Sequence, residues 1–127
     1  MPTVKIELQQ GYEPNSLLIL RDAVMDAVIE ALQLPNADRN VRILEYKPEF
    51  FKMKAPYEIL IEITLFSGRT KETKKRLYQT IVNNIELRLG IDKSKIFIIL
   101  NEQPLENWGV RGGLPADEIP LDFKVEI

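Results

Sequence analysis

The amino terminus carries the residue with the strongest chemical potential in this chain, a proline at position 2. Removal of the initiator methionine, which is expected before a small residue, gives Pro2 a free secondary amine. A free α-amino group has a pKa of about 8, and burial or a neighbouring cation lowers that pKa because both disfavour the charged form. Pro2 would then be a general base near neutral pH. A retained Met1 would block the amine and leave a proline that only begins a strand.

The chain contains neither histidine nor cysteine, so few groups other than the N-terminal amine could act as acid or base near neutral pH. This composition excludes nucleophile systems that pair Ser or Cys with His, disulfides, thiol redox chemistry and nearly all zinc sites. We therefore predict no metal site. The formal net charge of −2 gives no electrostatic support to a nucleic-acid partner.

Three more residues have types suited to a small carboxylic-acid substrate. Arg69 lies where a predicted strand meets a predicted helix, and a guanidinium there can grip a carboxylate with two parallel hydrogen bonds. Asp38 follows the first predicted helix, where it either forms a turn or orients a water molecule or substrate hydroxyl. Trp108, the only tryptophan, lies between turn residues and either closes a pocket or fills a gap.

Hydrophobic spacing predicts a tandem β-α-β repeat that must position these residues. At an offset of 57 positions, which aligns Leu20 with Leu77, the apolar residues of the two halves coincide. Two β-α-β units can join in one four-stranded sheet with both helices on one face. The predicted strands are 3–8, 41–45, 57–66 and 95–100, and the predicted helices are 16–32 and 71–89.

The 127 residues predict a single α/β (α+β) domain, with repeats at about 1–46 and 57–103 and a C-terminal arm at 104–127. The arm ends in alternating apolar residues, which predicts an extra edge strand beside a neighbouring chain. If the first and third strands run parallel, the start of the first, at Pro2, and the end of the third, before Arg69, lie at opposite ends of the sheet. We therefore expect a subunit interface to bring Pro2 and Arg69 together. Apolar surface on the uncovered sheet face predicts a homotrimer. The absence of a long apolar run predicts a cytoplasmic protein without membrane contact.

Together these features resemble the tautomerase superfamily, whose trimeric β-α-β fold begins with an amino-terminal proline. Its malonate semialdehyde decarboxylase-like branch is the most similar. The resemblance covers essentially the whole chain. It rests on Met1-Pro2, the doubled repeat, the segments 34–39, 68–70 and 74–79, and Asn107-Trp108-Gly109.

The resemblance implies a cofactor-independent tautomerase, an isomerase of enol or keto carboxylic acids with Pro2 as general base. It implies that Arg69 binds the substrate carboxylate and that Asp38 matches the acidic residue that helps to activate water in the decarboxylase. It also implies that Trp108 belongs to the apolar wall of the pocket.

Three further residues are expected to contact substrate. Tyr12 stands where smaller tautomerases carry a carboxylate-binding arginine, and Arg111 can reach in from the C-terminal loop. Phe50, or alternatively its neighbour Phe51, extends the apolar wall. Ser67 replaces a second arginine of the decarboxylase pattern. Two alternatives stay open: a decarboxylase, hydratase or dehalogenase of a short three-carbon acid that uses a cationic proline, and a non-catalytic trimeric binding module.

Overall fold

The computed structural model describes residues 1–127, and its elements follow the predicted repeat. The two long helices each have 19 residues, and their ends keep the 57-position offset. The elements in chain order are β1 (Thr3–Gln9), α1 (Pro14–Leu32), β2 (Val41–Tyr46), β3 (Ile59–Phe66), α2 (Lys71–Leu89), β4 (Ile96–Gln103), β5 (Gly109–Val110) and β6 (Leu114–Pro115).

The main sheet has the strand order β2-β1-β3-β4. β1 is parallel to β2 and β3 is parallel to β4, as β-α-β units require, but β1 and β3 are antiparallel. The prediction that the first and third strands run parallel is therefore wrong. β1 and β3 are equivalent in the repeat and lie side by side. A two-fold axis perpendicular to the sheet that relates them makes them run in opposite directions. Thr3 consequently lies opposite Thr64, and the start of β1 shares one end of the sheet with the end of β3.

Both helices cover the same face of the sheet, as predicted. Alternate residues of β1 and β3, beginning with Val4 and Ile59, are fully buried in the core beneath them. Pro14 occupies the first turn of α1. Thr70 caps α2 by accepting a hydrogen bond from the backbone N–H of Thr73 at 3.2 Å. Neither helix is long and apolar enough to cross a membrane.

The other face of the sheet has no cover within one chain and mixes apolar with charged side chains. Leu60 is half-buried and its cross-strand neighbour Phe97 is 37% exposed. Lys5 forms ion pairs with Glu7 and Glu62 at 3.3 and 3.2 Å on this face. The apolar surface predicted for this face is therefore present.

The C-terminal residues 121–127 fold over the loop between β3 and α2 and form no strand, so the predicted edge strand is wrong. The backbone N–H of Thr70 donates to the carbonyl of Ile127 at 2.9 Å. Cγ1 of Val125 lies 3.0 Å from the point that a Cβ on Gly68 would occupy. The alternating apolar residues pack against the chain's own surface instead of entering a sheet.

Candidate active site

The N-terminal amine lies in a half-buried position at the end of the sheet where β1 begins. The nitrogen of Met1 donates to Oδ2 of Asp38 at 2.6 Å. Asp38 is held there by the turn after α1, in which its backbone N–H donates to the carbonyl of Pro35 at 3.0 Å. Pro2 is buried immediately behind the amine. Two of the predicted site residues, Pro2 and Asp38, are thus neighbours.

The surroundings of the amine favour its neutral form. Burial lowers the pKa of the Met1 ammonium from its ordinary value of 8.0, because the charged form loses water. The Asp38 carboxylate opposes this lowering of the pKa through its hydrogen bond and its charge, and the charge of Asp122 also opposes it. The positive charge of Arg69 lowers the pKa further. An amine in this position is biased toward the state that can accept a proton.

Arg69 is a buried cation without a counterion. Only 6% of the residue is exposed, and its Nη1 donates to the carbonyl of Phe66 at 3.0 Å. Its Nε and Nη2 have no hydrogen-bond partner. Burial lowers the pKa of the guanidinium because the charged form loses water, and the charge of Glu102 opposes this lowering only in part. Unmet donors on a buried charge cost free energy, and an anionic group such as a carboxylate would supply the missing partner.

Aromatic rings surround Arg69 and Trp108 at this end of the sheet. Phe66 meets the ring of Trp108 edge-on at 4.7 Å and stacks with Phe123 at 6.0 Å. The Arg69 guanidinium carbon lies 5.9 Å from the centre of the Phe123 ring. The indole Nε1 of Trp108 donates to the carbonyl of Gln103 at 3.4 Å. The cluster joins β3, the loop after β4 and the C-terminal segment into an apolar wall.

Two cavities meet at Met1. The larger, of about 590 Å³, is lined by Arg39 and Trp108 among others. The smaller, of about 240 Å³, is lined by Asp38 and Arg111 among others. Met1 is the residue that the linings of the two cavities share. The structure therefore brings five predicted residues to one end of the sheet: Pro2, Asp38, Arg69, Trp108 and Arg111.

The other two predicted residues lie elsewhere in the chain. Tyr12 lines a separate cavity of about 390 Å³ at the opposite end of the sheet, and Phe50 is 72% exposed and lines no cavity. The reason is strand direction: β1 carries the chain roughly 20 Å away from Pro2 before it reaches Tyr12. The geometry of one chain gives no support to substrate contact by Tyr12 or Phe50.

Sequence reasoning missed three residues at this end of the sheet. Arg39 lines the larger cavity and pairs with Oδ1 of Asp26 at 2.9 Å. Asp122 acts on the pKa of the amine, and Phe123 packs on Arg69. The only sequence signal for the last two was the apolar alternation after residue 120, which also fits a strand.

Comparisons with known proteins relate the chain to a family of enzymes. Residues 38–111 match the family described as "Tautomerase enzyme". The probable tautomerase YusQ of Bacillus subtilis is 33% identical over 121 residues, covering 89% of this chain and 95% of that protein. The probable tautomerase YrdN of the same organism is 24% identical over 117 residues, covering 85% and 89%.

Solved structures share the fold. A fused 4-OT that forms a symmetric trimer has a TM-score of 0.81 and 26% identity, covering 91% of this chain and 96% of that chain. FG41 malonate semialdehyde decarboxylase inhibited by 3-bromopropiolate has a TM-score of 0.77 and 25% identity, covering 93% and 99%. A malonate semialdehyde decarboxylase described with decarboxylase and hydratase activities has a TM-score of 0.79 and 21% identity, covering 87% and 92%.

Proposed function

This chain belongs to the tautomerase enzyme family, and we propose that it isomerises enol or keto carboxylic acids with Pro2 as general base. The observation that carries the proposal is Arg69, a buried guanidinium with two unpartnered N–H groups at the same end of the sheet as the amine. A substrate carboxylate would satisfy both donors in a bidentate contact. The substrate would then be anchored beside the base.

Removal of Met1 is the step that makes the site competent. Met1 lines both cavities at this end of the sheet, so its loss would join them into one cleft. The amine would pass to Pro2, within the same burial and near the charges of Asp38 and Arg69. Burial at this position lowers the pKa of the Met1 amine, and the same burial would lower the pKa of a Pro2 amine.

The reaction then needs one proton transfer in each direction. The lone pair of the Pro2 nitrogen accepts the enol O–H proton, or the proton on the carbon α to the carbonyl, and leaves an enolate. The resulting ammonium returns that proton to the other atom, so no atom or electron is gained or lost. The guanidinium of Arg69 stabilises the negative charge that develops on the enolate. This stabilisation is large because burial excludes water from around the guanidinium. Trp108 and Phe66 would exclude water from the amine on the apolar side.

We also infer a cytoplasmic homotrimer. The similar fused 4-OT forms a trimer, and the apolar residues Leu60 and Phe97 on the uncovered sheet face give this chain a surface to bury. A ring of three subunits would cover that face in each copy.

A second candidate function uses the ammonium form of Pro2 to decarboxylate or hydrate a short three-carbon acid. It is favoured by the 2.6 Å contact between the N-terminal nitrogen and Asp38, which stabilises the charged amine and places a carboxylate where it can orient water. Ser67, in place of the second arginine of the decarboxylase pattern, leaves Arg69 as the one buried arginine at this position.

The test is the ultraviolet assay of phenylenolpyruvate ketonisation, on protein whose intact mass shows that Met1 is gone. Pro2→Ala should reduce kcat/KM by about 100-fold or more, the usual contribution of a positioned base. Pro14→Ala, which removes a proline from the first turn of α1, is the matched control and should leave kcat/KM unchanged. Equal activity in wild type and Pro2→Ala would overturn the proposal.

A further inference from the structure

The internal repeat creates a second pocket at the opposite end of the sheet from the N-terminus. Gly11 and Gly68 are equivalent in the repeat and have nearly equal backbone angles, with φ of 131° and 132°. The loop that holds Arg69 therefore recurs as the loop that holds Tyr12. The cavity beside Tyr12 has a volume of about 390 Å³, which is within the range of small-molecule sites.

The second pocket carries the ammonium–carboxylate pair of the first with the two charges exchanged. Glu58, which lines the cavity, is the repeat equivalent of Met1, so the residue that carries the N-terminal amine in the first site carries a side-chain carboxylate in the second. Lys95 is the equivalent of Asp38, and its Nζ lies 3.7 Å from Oε1 of Glu58. The contact between the two repeat-related positions is kept, but its polarity is reversed.

The second pocket also lacks a buried arginine that could bind an anion. Tyr12 stands at the repeat position of Arg69, and burial and the charge of Glu58 both raise the pKa of its phenol, which stays neutral. Phe51 stands at the position of Trp108 and lines the same cavity. An aromatic wall is thus retained, whereas the buried guanidinium of the first site is replaced by a neutral phenol.

We propose that this second pocket binds a small organic ammonium ion with an apolar body. The charge of the ligand would meet the carboxylate of Glu58, and its body would pack among the rings of Tyr12, Phe51 and Tyr57. Aromatic faces attract cations within about 6 Å, and this attraction adds to that of the carboxylate. Lys52, the one cation that lines the cavity, is exposed and free to turn into solvent. The proposal goes beyond the proposed function, because it uses none of the residues at the N-terminal end.

The test uses three probes of similar shape and different charge: 2-phenylethylammonium, 2-phenylethanol and 3-phenylpropanoate. Methionine methyl groups labelled with ¹³C report binding by NMR on the assembled protein. Met53 lines the second pocket, whereas Met25 is 1% exposed in the core and serves as an internal control. The Met53 methyl signal should shift saturably with the ammonium probe and much less with the alcohol and the carboxylate, while Met25 stays fixed.

Two variants separate binding in this pocket from binding at the N-terminal site. Glu58→Gln and Tyr12→Leu should each lower the affinity for the ammonium probe roughly two- to five-fold. Arg69→Met, at the other end of the sheet, should leave its affinity unchanged, whether or not the enzyme is active. The proposal is overturned if the ammonium probe does not shift the Met53 methyl signal, or if 3-phenylpropanoate binds as tightly as the ammonium probe. It is also overturned if Glu58→Gln binds the ammonium probe with the affinity of wild type.

Discussion

Lys5 and Glu62 face each other directly across the antiparallel strands β1 and β3, with Nζ 3.2 Å from Oε2. They are also equivalent in the repeat, since they stand 57 positions apart. Two residues can be both cross-strand partners and repeat equivalents only where a two-fold axis passes between them. The axis through this ion pair relates the end of the sheet that holds the N-terminal amine to the end that holds Tyr12. One chain therefore has one candidate active site at one end of the sheet and a second pocket at the repeat-related end.

Replacing Arg69 should separate activity from stability. Arg69→Met should lower kcat/KM for phenylenolpyruvate by about 100-fold or more, because the substrate loses its anchor and the enolate loses its stabilising charge. The melting temperature should stay the same or rise, because an apolar side chain replaces a buried and unpaired cation. The control is Arg76→Met on the exposed surface of α2. A fall in kcat/KM of less than about three-fold in Arg69→Met would speak against carboxylate binding there.

The pH profile should distinguish base from acid. A base works in its deprotonated form, so kcat/KM should rise with pH through the pKa of the amine and then level off. The midpoint should lie below the pKa of a free N-terminal proline, since burial lowers the pKa of the amine at this position. Asp38→Asn removes a hydrogen bond and a charge that raise the pKa, so its rising limb should move to lower pH. A profile that falls with increasing pH would instead favour the ammonium form and the decarboxylase or hydratase chemistry.

The two equivalent glycines offer a matched test of the C-terminal segment. Alanine at Gly11 or Gly68 should lower the free energy of unfolding by about 1–3 kcal/mol, because φ near 131° suits glycine alone. Gly68→Ala also pushes against Val125, whereas a Cβ on Gly11 meets nothing within 4 Å. Gly68→Ala should therefore be the less stable variant and should lose activity, because the segment that covers Arg69 is displaced. Thermal unfolding and steady-state assays of both variants check this, and equal losses of activity would contradict it.

The uncovered sheet face should hold the assembly together. Sedimentation equilibrium should give wild type a mass three times the 14.7 kDa of one chain. Leu60→Lys should shift the mass toward one chain, because a charge enters the surface that the trimer buries. Leu87→Lys changes a leucine that is 86% exposed on α2 and should leave the trimer intact. A monomeric wild type, or a trimeric Leu60→Lys, would contradict this account of the interface.

The repeat could be predicted from the sequence because it depends on local hydrophobic spacing. The offset between Leu20 and Leu77 is the offset between the observed helices, and the predicted four-stranded sheet with both helices on one face is confirmed. Spacing shows which residues are equivalent but not whether a translation or a rotation relates them. For that reason the direction of β3 relative to β1, and with it the proximity of Pro2 and Arg69 in one chain, was predicted wrongly.

The cover over the site could not be predicted from periodicity. Phe123 alternates with polar neighbours as a strand residue would, yet it packs on Arg69 and Phe66. Alternation of apolar and polar residues indicates that one side of a segment is apolar. It does not indicate which distant surface that side contacts. Asp38 and Trp108 were predicted from their residue types and their neighbours along the chain, whereas the contact of Phe123 depends on tertiary packing.

The central claim is that loss of Met1 creates the catalytic amine, and one measurement tests it directly. Protein that retains Met1 is treated with a methionine aminopeptidase, and intact mass and phenylenolpyruvate ketonisation are followed in the same samples. Activity should be nearly absent at first and should rise in proportion to the fraction of chains that begin with Pro2. Full activity while Met1 is still present, or no activity after it is completely removed, would contradict the account.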